Sequence, residues 1–152
     1  MYKAAIMMGS ESDREVMSEA RAYLDYFGID YEIKILSAHR MPDATAEFAK
    51  SAEENGFCAI IAGAGMAAHL AGVVASHTLL PVIGVPLSGS ALTGVDALYS
   101  MVQMPRGVPV ATMAIGRAGA ANAAIFIAEM LAGRDAGIRD KLVEFRKKGC
   151  VL

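Results

Sequence analysis

Tryptophan is absent, cysteine occurs twice and histidine three times in 152 residues. Each scarcity excludes something. Cys58 and Cys150 do not make a disulfide framework or a thiolate metal site, and Cys58 sits in an apolar run where a small buried thiol is expected. Lys and Arg number 14 against 16 Asp and Glu, for a net charge of −2. Without a basic excess or interleaved basic and aromatic residues, there is no footprint for nucleic acid. Charge is missing altogether between Asn55 and Val95. That run is not a membrane span, which needs roughly 20 mostly apolar residues without strong breakers. Gly63, Gly65, Gly72, Pro81, Gly84 and Pro86 cut it into short pieces. The opening MYKAAIMMGS has too short an apolar run for a signal peptide, so a cytoplasmic, reducing location is expected.

Apolar residues, by contrast, are abundant: 55% of the chain, against 20% charged. A fold of this length, read as one domain over 1–152, has a limited interior. Some of the apolar surface is therefore expected to lie between subunits of a homo-oligomer.

The periodicities alternate between strand and helix. Strands are predicted at Lys3 to Met8, Tyr31 to Leu36, Cys58 to Ala62, Pro81 to Val85, and Val108 to Met113 or Ile115. Those at Cys58 to Ala62 and Pro81 to Val85 are continuously apolar, as parallel strands covered on both faces should be. Helices are predicted from Ser12 to Gly28, Asp43 to Glu54, Ala67 to Ser76, Gly94 to Val102, Ala118 to Leu131 and Asp135 to Lys148. The third of these has no polar stripe and is expected to be buried all round. Such β–α units predict an α/β three-layer sandwich with a central parallel sheet, flavodoxin-like, in the strand order 2-1-3-4-5. Ligands in such sheets bind where the strand order reverses, at the carboxyl ends of the strands.

Three strand ends meet at that point, and each carries chemistry. Gly9-Ser10-Glu11-Ser12-Asp13 turns the first strand into a helix, an arrangement that suits an anion. Ser12, with Glu15 three residues on, fits a capping box; for Ser10, capping and phosphate contact both stay open. Ser37-Ala38-His39-Arg40 follows the second strand. Histidine moves protons near neutral pH and arginine grips phosphate or carboxylate; the plainer alternative is a helix cap beside a solvated cation. Gly63-Ala64-Gly65, read as a tight turn, leads into the third helix and offers a second anion site, with His69 about a turn inside. His69 and His77 would stand roughly 80° apart around a helix, unlike a zinc pair at i, i+4, so no metal is expected. Together these ends suggest a pocket for a small phosphorylated, carboxylated substrate, with one histidine for proton traffic.

The runs GSESD, SAHRMPD, GAGMAAHLAG and GVDALYSMVQMPRGVPVATMAIGRAGAANAA resemble, in order and spacing, the PurE family of purine biosynthesis. The SAHR and AAHL wording is similar to the class that converts N5-carboxyaminoimidazole ribonucleotide to 4-carboxy-5-aminoimidazole ribonucleotide. A sister class, which carboxylates aminoimidazole ribonucleotide directly with carbon dioxide, usually has lysine where Arg40 stands. The resemblance implies that His39 is the general acid/base. It implies that substrate binds Gly9, Ser10, Ser12 and Asp13 of the first turn and Ser37, Ala38 and Arg40 of the second. From the third it implies Gly63, Ala64, Gly65, Met66, His69 and Leu70. It also implies a homo-octamer and no metal, nucleotide, biotin or other cofactor. Met66 and Ala71 depart from the family wording, where glycine and proline are expected, and Met41 replaces a common threonine. The competing readings are the direct carboxylase, a carboxylase of another nucleotide, and a non-catalytic flavodoxin-like binding module. The last fares poorly: a phosphorylatable receiver needs an aspartate at the end of its third strand, where this chain has Ala62-Gly63.

Overall fold

A computed structural model describes every residue from Met1 to Leu152. Five parallel strands form one sheet in the order β2-β1-β3-β4-β5, the order and architecture expected. They are β1 (Lys3–Met8), β2 (Asp30–Ile35), β3 (Ala59–Gly65), β4 (Val82–Leu87) and β5 (Ala111–Thr112). The helices are α1 (Arg14–Met17), α2 (Glu19–Phe27), α3 (Pro42–Ser51), α4 (Leu70–His77), α5 (Val95–Val102), α6 (Arg117–Leu131) and α7 (Ala136–Lys147).

Alternation along each strand divides the side chains between two cores. Ala4, Ile6 and Met8 of β1 and Ala59 and Ile61 of β3 join the buried residues of α1, α2, α6 and α7 on one face. Ala5 and Met7 of β1 and Ile60, Ala62 and Ala64 of β3 join those of α3, α4 and α5 on the other. Small residues bring the layers close. α6 buries Ala120, Ala123, Ala124 and Ala128 against the sheet. α7 begins where Asp135 accepts a bond from the backbone N–H of Ile138 at 3.0 Å, and its Phe145 packs edge-on to Phe27 and Tyr23 of α2.

Several boundaries differ from expectation, each for a physical reason. The first helix is broken into a 3-10 turn (Glu11–Asp13), α1 and α2. Its capping box does not form. Ser10 is the cap, accepting from the N–H of Ser12 at 3.3 Å, while Glu15 is drawn away into an ion pair with Arg117. β5 is only two residues long, because Val108 is folded into a turn with Pro105 and Pro109 has no N–H to give a ladder.

The largest change concerns Gly63-Ala64-Gly65. It is not a turn but the end of β3, paired in register with Val85, Pro86 and Leu87 of β4. Helix α4 consequently starts at Leu70 rather than Ala67, and His69 is its N-cap instead of lying a turn inside. α4 also buries one side only, through Leu70, Ala71 and Val74, and leaves Ser76 and His77 exposed.

Glycine at 63 is required by close approach. A Cβ there would meet Sδ of Met17 at 2.2 Å, so the absent side chain lets α1 lie against β3 and sets the first turn over the third strand end. Gly63→Ala is expected to cost about 1–3 kcal/mol by overpacking. The cost should shrink in a Met17→Ala background. Urea unfolding of the two single variants and the double variant measures both; additive losses would refute the contact's role.

Candidate active site

A cleft of about 420 Å³ opens at the carboxyl ends of β1, β2 and β3, within the size range of small-molecule sites. The in-register pairing of Met8 with Ile35 and with Gly63 ends β1 and β2 at one level, and β3 continues only from Gly63 to Gly65, so their following turns share one rim. Gly9, Ser10, Ser12 and Asp13 enter from the first turn; Ser37, Ala38, His39 and Arg40 from the second; Ala64, Gly65, Met66, His69 and Leu70 from the third. Of the sequence candidates, Gly63 alone is missing from the lining, since it is buried under Met17.

Two lining residues escaped the sequence reading: Ala67 and Gly89. Gly89 comes from the loop after β4, which carries no charge or histidine to attract notice. Its signal is steric and appears only in three dimensions. A Cβ on Gly65 would lie 3.3 Å from the carbonyl oxygen of Leu87 and 3.5 Å from the nitrogen of Gly89, so this loop presses on the third strand end.

The second turn is held by its own backbone. Ser37 accepts from the N–H of Arg40 through its hydroxyl, at 3.2 Å, and from the N–H of Met41 through its carbonyl, at 2.8 Å. Pro42 then takes the first position of α3, where its missing N–H costs nothing. This turn presents His39 toward α4. Nε2 of His39 lies 2.9 Å from Nδ1 of His69, with the rings edge-on at 84°. A hydrogen bond between two imidazole nitrogens needs one proton and one lone pair, so the two rings share a proton position and their tautomers are linked. The sequence reading placed His69 in the wall and left His39 without a partner. The separation of 30 positions, and the wrong helix start, hid this contact.

Charge around the pair is arranged to take an anion. Arg40 is exposed and belongs to none of the chain's salt bridges, leaving its guanidinium free for phosphate or carboxylate. Ser10 and Ser12 line the same cleft, their hydroxyls 2.9 Å apart. No three His, Cys, Asp or Glu side chains gather as a metal-ligand set, and no helix is long and apolar enough to cross a membrane.

The family model described as AIR carboxylase matches residues 3–150. The chain belongs to the AIR carboxylase family. Among relatives of this AIR carboxylase homologue, the N5-carboxyaminoimidazole ribonucleotide mutase of Thermotoga maritima is 55% identical over 148 residues, covering 97% of this chain and 85% of that one. The proteins of the same name from Haemophilus influenzae and Escherichia coli K12 are 53% and 52% identical, over 94% and 95% of this chain and 87% and 86% of theirs. Of solved structures, Treponema denticola PurE superposes with a TM-score of 0.89 at 27% identity, over 99% of this chain and 92% of that one.

Asp13 bears a cost of this placement. Burial pushes its carboxyl above the usual range, opposed by the backbone N–H of Ser10. The raised value means that the folded chain disfavours the carboxylate. The associated stability is fully present below the ordinary carboxyl pKa and is lost as pH rises through the folded one. Asp13→Asn should therefore raise the melting temperature of the ligand-free protein at neutral pH. The gain should shrink as pH falls into the carboxyl range. Thermal melts across that range decide it; a gain independent of pH would refute the burial account.

Proposed function

We propose that this AIR carboxylase homologue is a mutase that converts N5-carboxyaminoimidazole ribonucleotide to 4-carboxy-5-aminoimidazole ribonucleotide, with His39 as general acid and base. The observation that carries the reading is the His39–His69 hydrogen bond inside a cleft that also holds Arg40 and Asp13. Relatives named for that reaction, 52–55% identical over nearly the whole chain, support the choice of substrate.

The phosphate ester would sit against the Ser10 and Ser12 hydroxyls and the Arg40 guanidinium, with Asp13 accepting from the sugar hydroxyls. The ring and its carboxylate would lie between His39 and the strand end Ala64-Gly65. Transfer proceeds by release and recapture. The N–C bond to the carboxylate breaks, carbon dioxide leaves, and protonated His39 supplies a proton to the nitrogen. The ring carbon then adds to the retained carbon dioxide, and neutral His39 takes the proton from that carbon. The histidine ends as it began, and no cofactor enters the balance. His69, bonded to the other side of the ring, fixes which nitrogen of His39 faces substrate.

General acid–base help contributes typically about 10² to 10⁴ in rate. His39→Asn should lose at least that much turnover, read by consumption of the N-carboxylated ribonucleotide without ATP or added bicarbonate. More than a tenth of normal turnover in that variant would end the proposal. The same assay tests the direct carboxylase, which the family model's description favours. Consumption of aminoimidazole ribonucleotide only when bicarbonate is supplied would establish that reaction instead.

The proposal extends to assembly as a homo-octamer. Tyr99 of α5 is 65% exposed and Leu79 95%, with Leu92, Val95 and Val102 also open to solvent. Large apolar side chains in such number suit a subunit interface. Sedimentation at micromolar concentration should give a species several times heavier than the 15.9 kDa protomer. A 15.9 kDa species alone would refute assembly.

A further inference from the structure

Met66 has a backbone that methionine rarely adopts. Its φ is +55°, a left-handed conformation shared among non-glycine residues only with Thr93 and Cys150. A Cβ makes that region unfavourable, and glycine is the residue that enters it freely. A strained residue persists where something else requires it. Burial does not hold Met66 in place, since it is 63% exposed. Its position is instead at the cleft, directly after the strand end Gly65 and ahead of His69. The rest of the lining is small or polar apart from Leu70, which is 3% exposed and already committed to the core. Met66 is thus the one long apolar side chain at the rim with freedom to move. A thioether on three rotatable bonds adapts to an irregular apolar surface.

We propose that Met66 is the closure residue of this cleft: on binding, its side chain folds over the substrate ring and keeps carbon dioxide from escaping between release and recapture. The role rests on the mutase reading above and adds to it a residue that decides whether the intermediate is kept. Carbon dioxide is small and uncharged, so neither Arg40 nor the histidines can retain it by charge. Only a filled, water-free space above the ring does so. The left-handed turn places a mobile apolar group at that opening, at a standing cost to the free protein.

Partition measures this directly. The protein turns over the N-carboxylated ribonucleotide in buffer containing carbon-13 bicarbonate. The readouts are the label entering 4-carboxy product and the free aminoimidazole ribonucleotide released per product formed. The unaltered protein should release little and take up little label. Met66→Gly removes the side chain and the backbone strain together, so it should melt no lower than the parent yet raise both readouts several-fold. Met66→Leu, which restores an apolar cover, should bring them back toward the parent values; Met66→Ala replaces Met66→Gly if that variant does not fold. Release and label uptake unchanged in the truncated variant, with the parent active, would overturn the closure role alone. A parent that does not consume the N-carboxylated ribonucleotide would overturn the mutase reading, and closure with it.

Discussion

The pairing of Met8 with Ile35 on one side and with Gly63 on the other is the constraint from which the site follows. Parallel strands held in this register finish close to one height, β3 running on only from Gly63 to Gly65, so turns distant in sequence become neighbours in space. Residues 9–13, 37–40 and 64–70 meet for that reason, and His39 reaches His69 across it. A slip of one residue in either pairing would turn every strand side chain to the opposite face. It would also part the two imidazoles. Met17 against Gly63 reinforces the same alignment from the helical layer, which makes one glycine serve the strand, the helix and the cleft.

What the sequence made legible was whatever depends on local pattern. Apolar runs, unbroken in the third and fourth strands, marked the sheet, and glycine or proline marked several of the ends. The alternation of strand and helix left one economical topology. The site residues could be placed because each follows a strand, and strand ends in such sheets converge. What stayed hidden depends on contacts between distant segments. Gly63 and Gly65 look like a turn to a reader of sequence, because glycine is the usual residue of tight turns. Here their lack of a side chain admits Met17 and the Leu87 carbonyl instead. The error carried forward by moving the helix start, and with it His69. Gly89 and the shortened β5 belong to the same class. One is recruited by packing alone, and the other is curtailed by Pro109 and the turn before it.

Stability is surrendered locally at the cleft and made up elsewhere. Asp13 is partly withdrawn from water with its carboxyl pushed up, Met66 is left-handed and exposed, and Arg40 lacks an acidic partner. The first two are unfavourable in the free chain, while the solvated Arg40 is simply left available to a bound anion. The two cores beneath are free of such compromise, with Thr45 the one polar residue among the buried set, its hydroxyl donating to the Met41 carbonyl at 2.9 Å. Frustration is therefore confined to the rim, where a ligand can relieve it.

The alanines that α6 turns toward the sheet carry a further consequence, in entropy. A buried leucine or methionine surrenders rotamer freedom on folding, whereas alanine has none to lose. Ala120, Ala123, Ala124 and Ala128 thus bury four positions of α6 without side-chain entropy to lose, and only Ile127 and Leu131 of that helix's large buried side chains carry that cost. These alanines also leave α6 few flexible side chains with which to absorb a shift against the strands. The sheet below is clamped as a plate, and the strand ends that bear the two imidazoles inherit its stiffness.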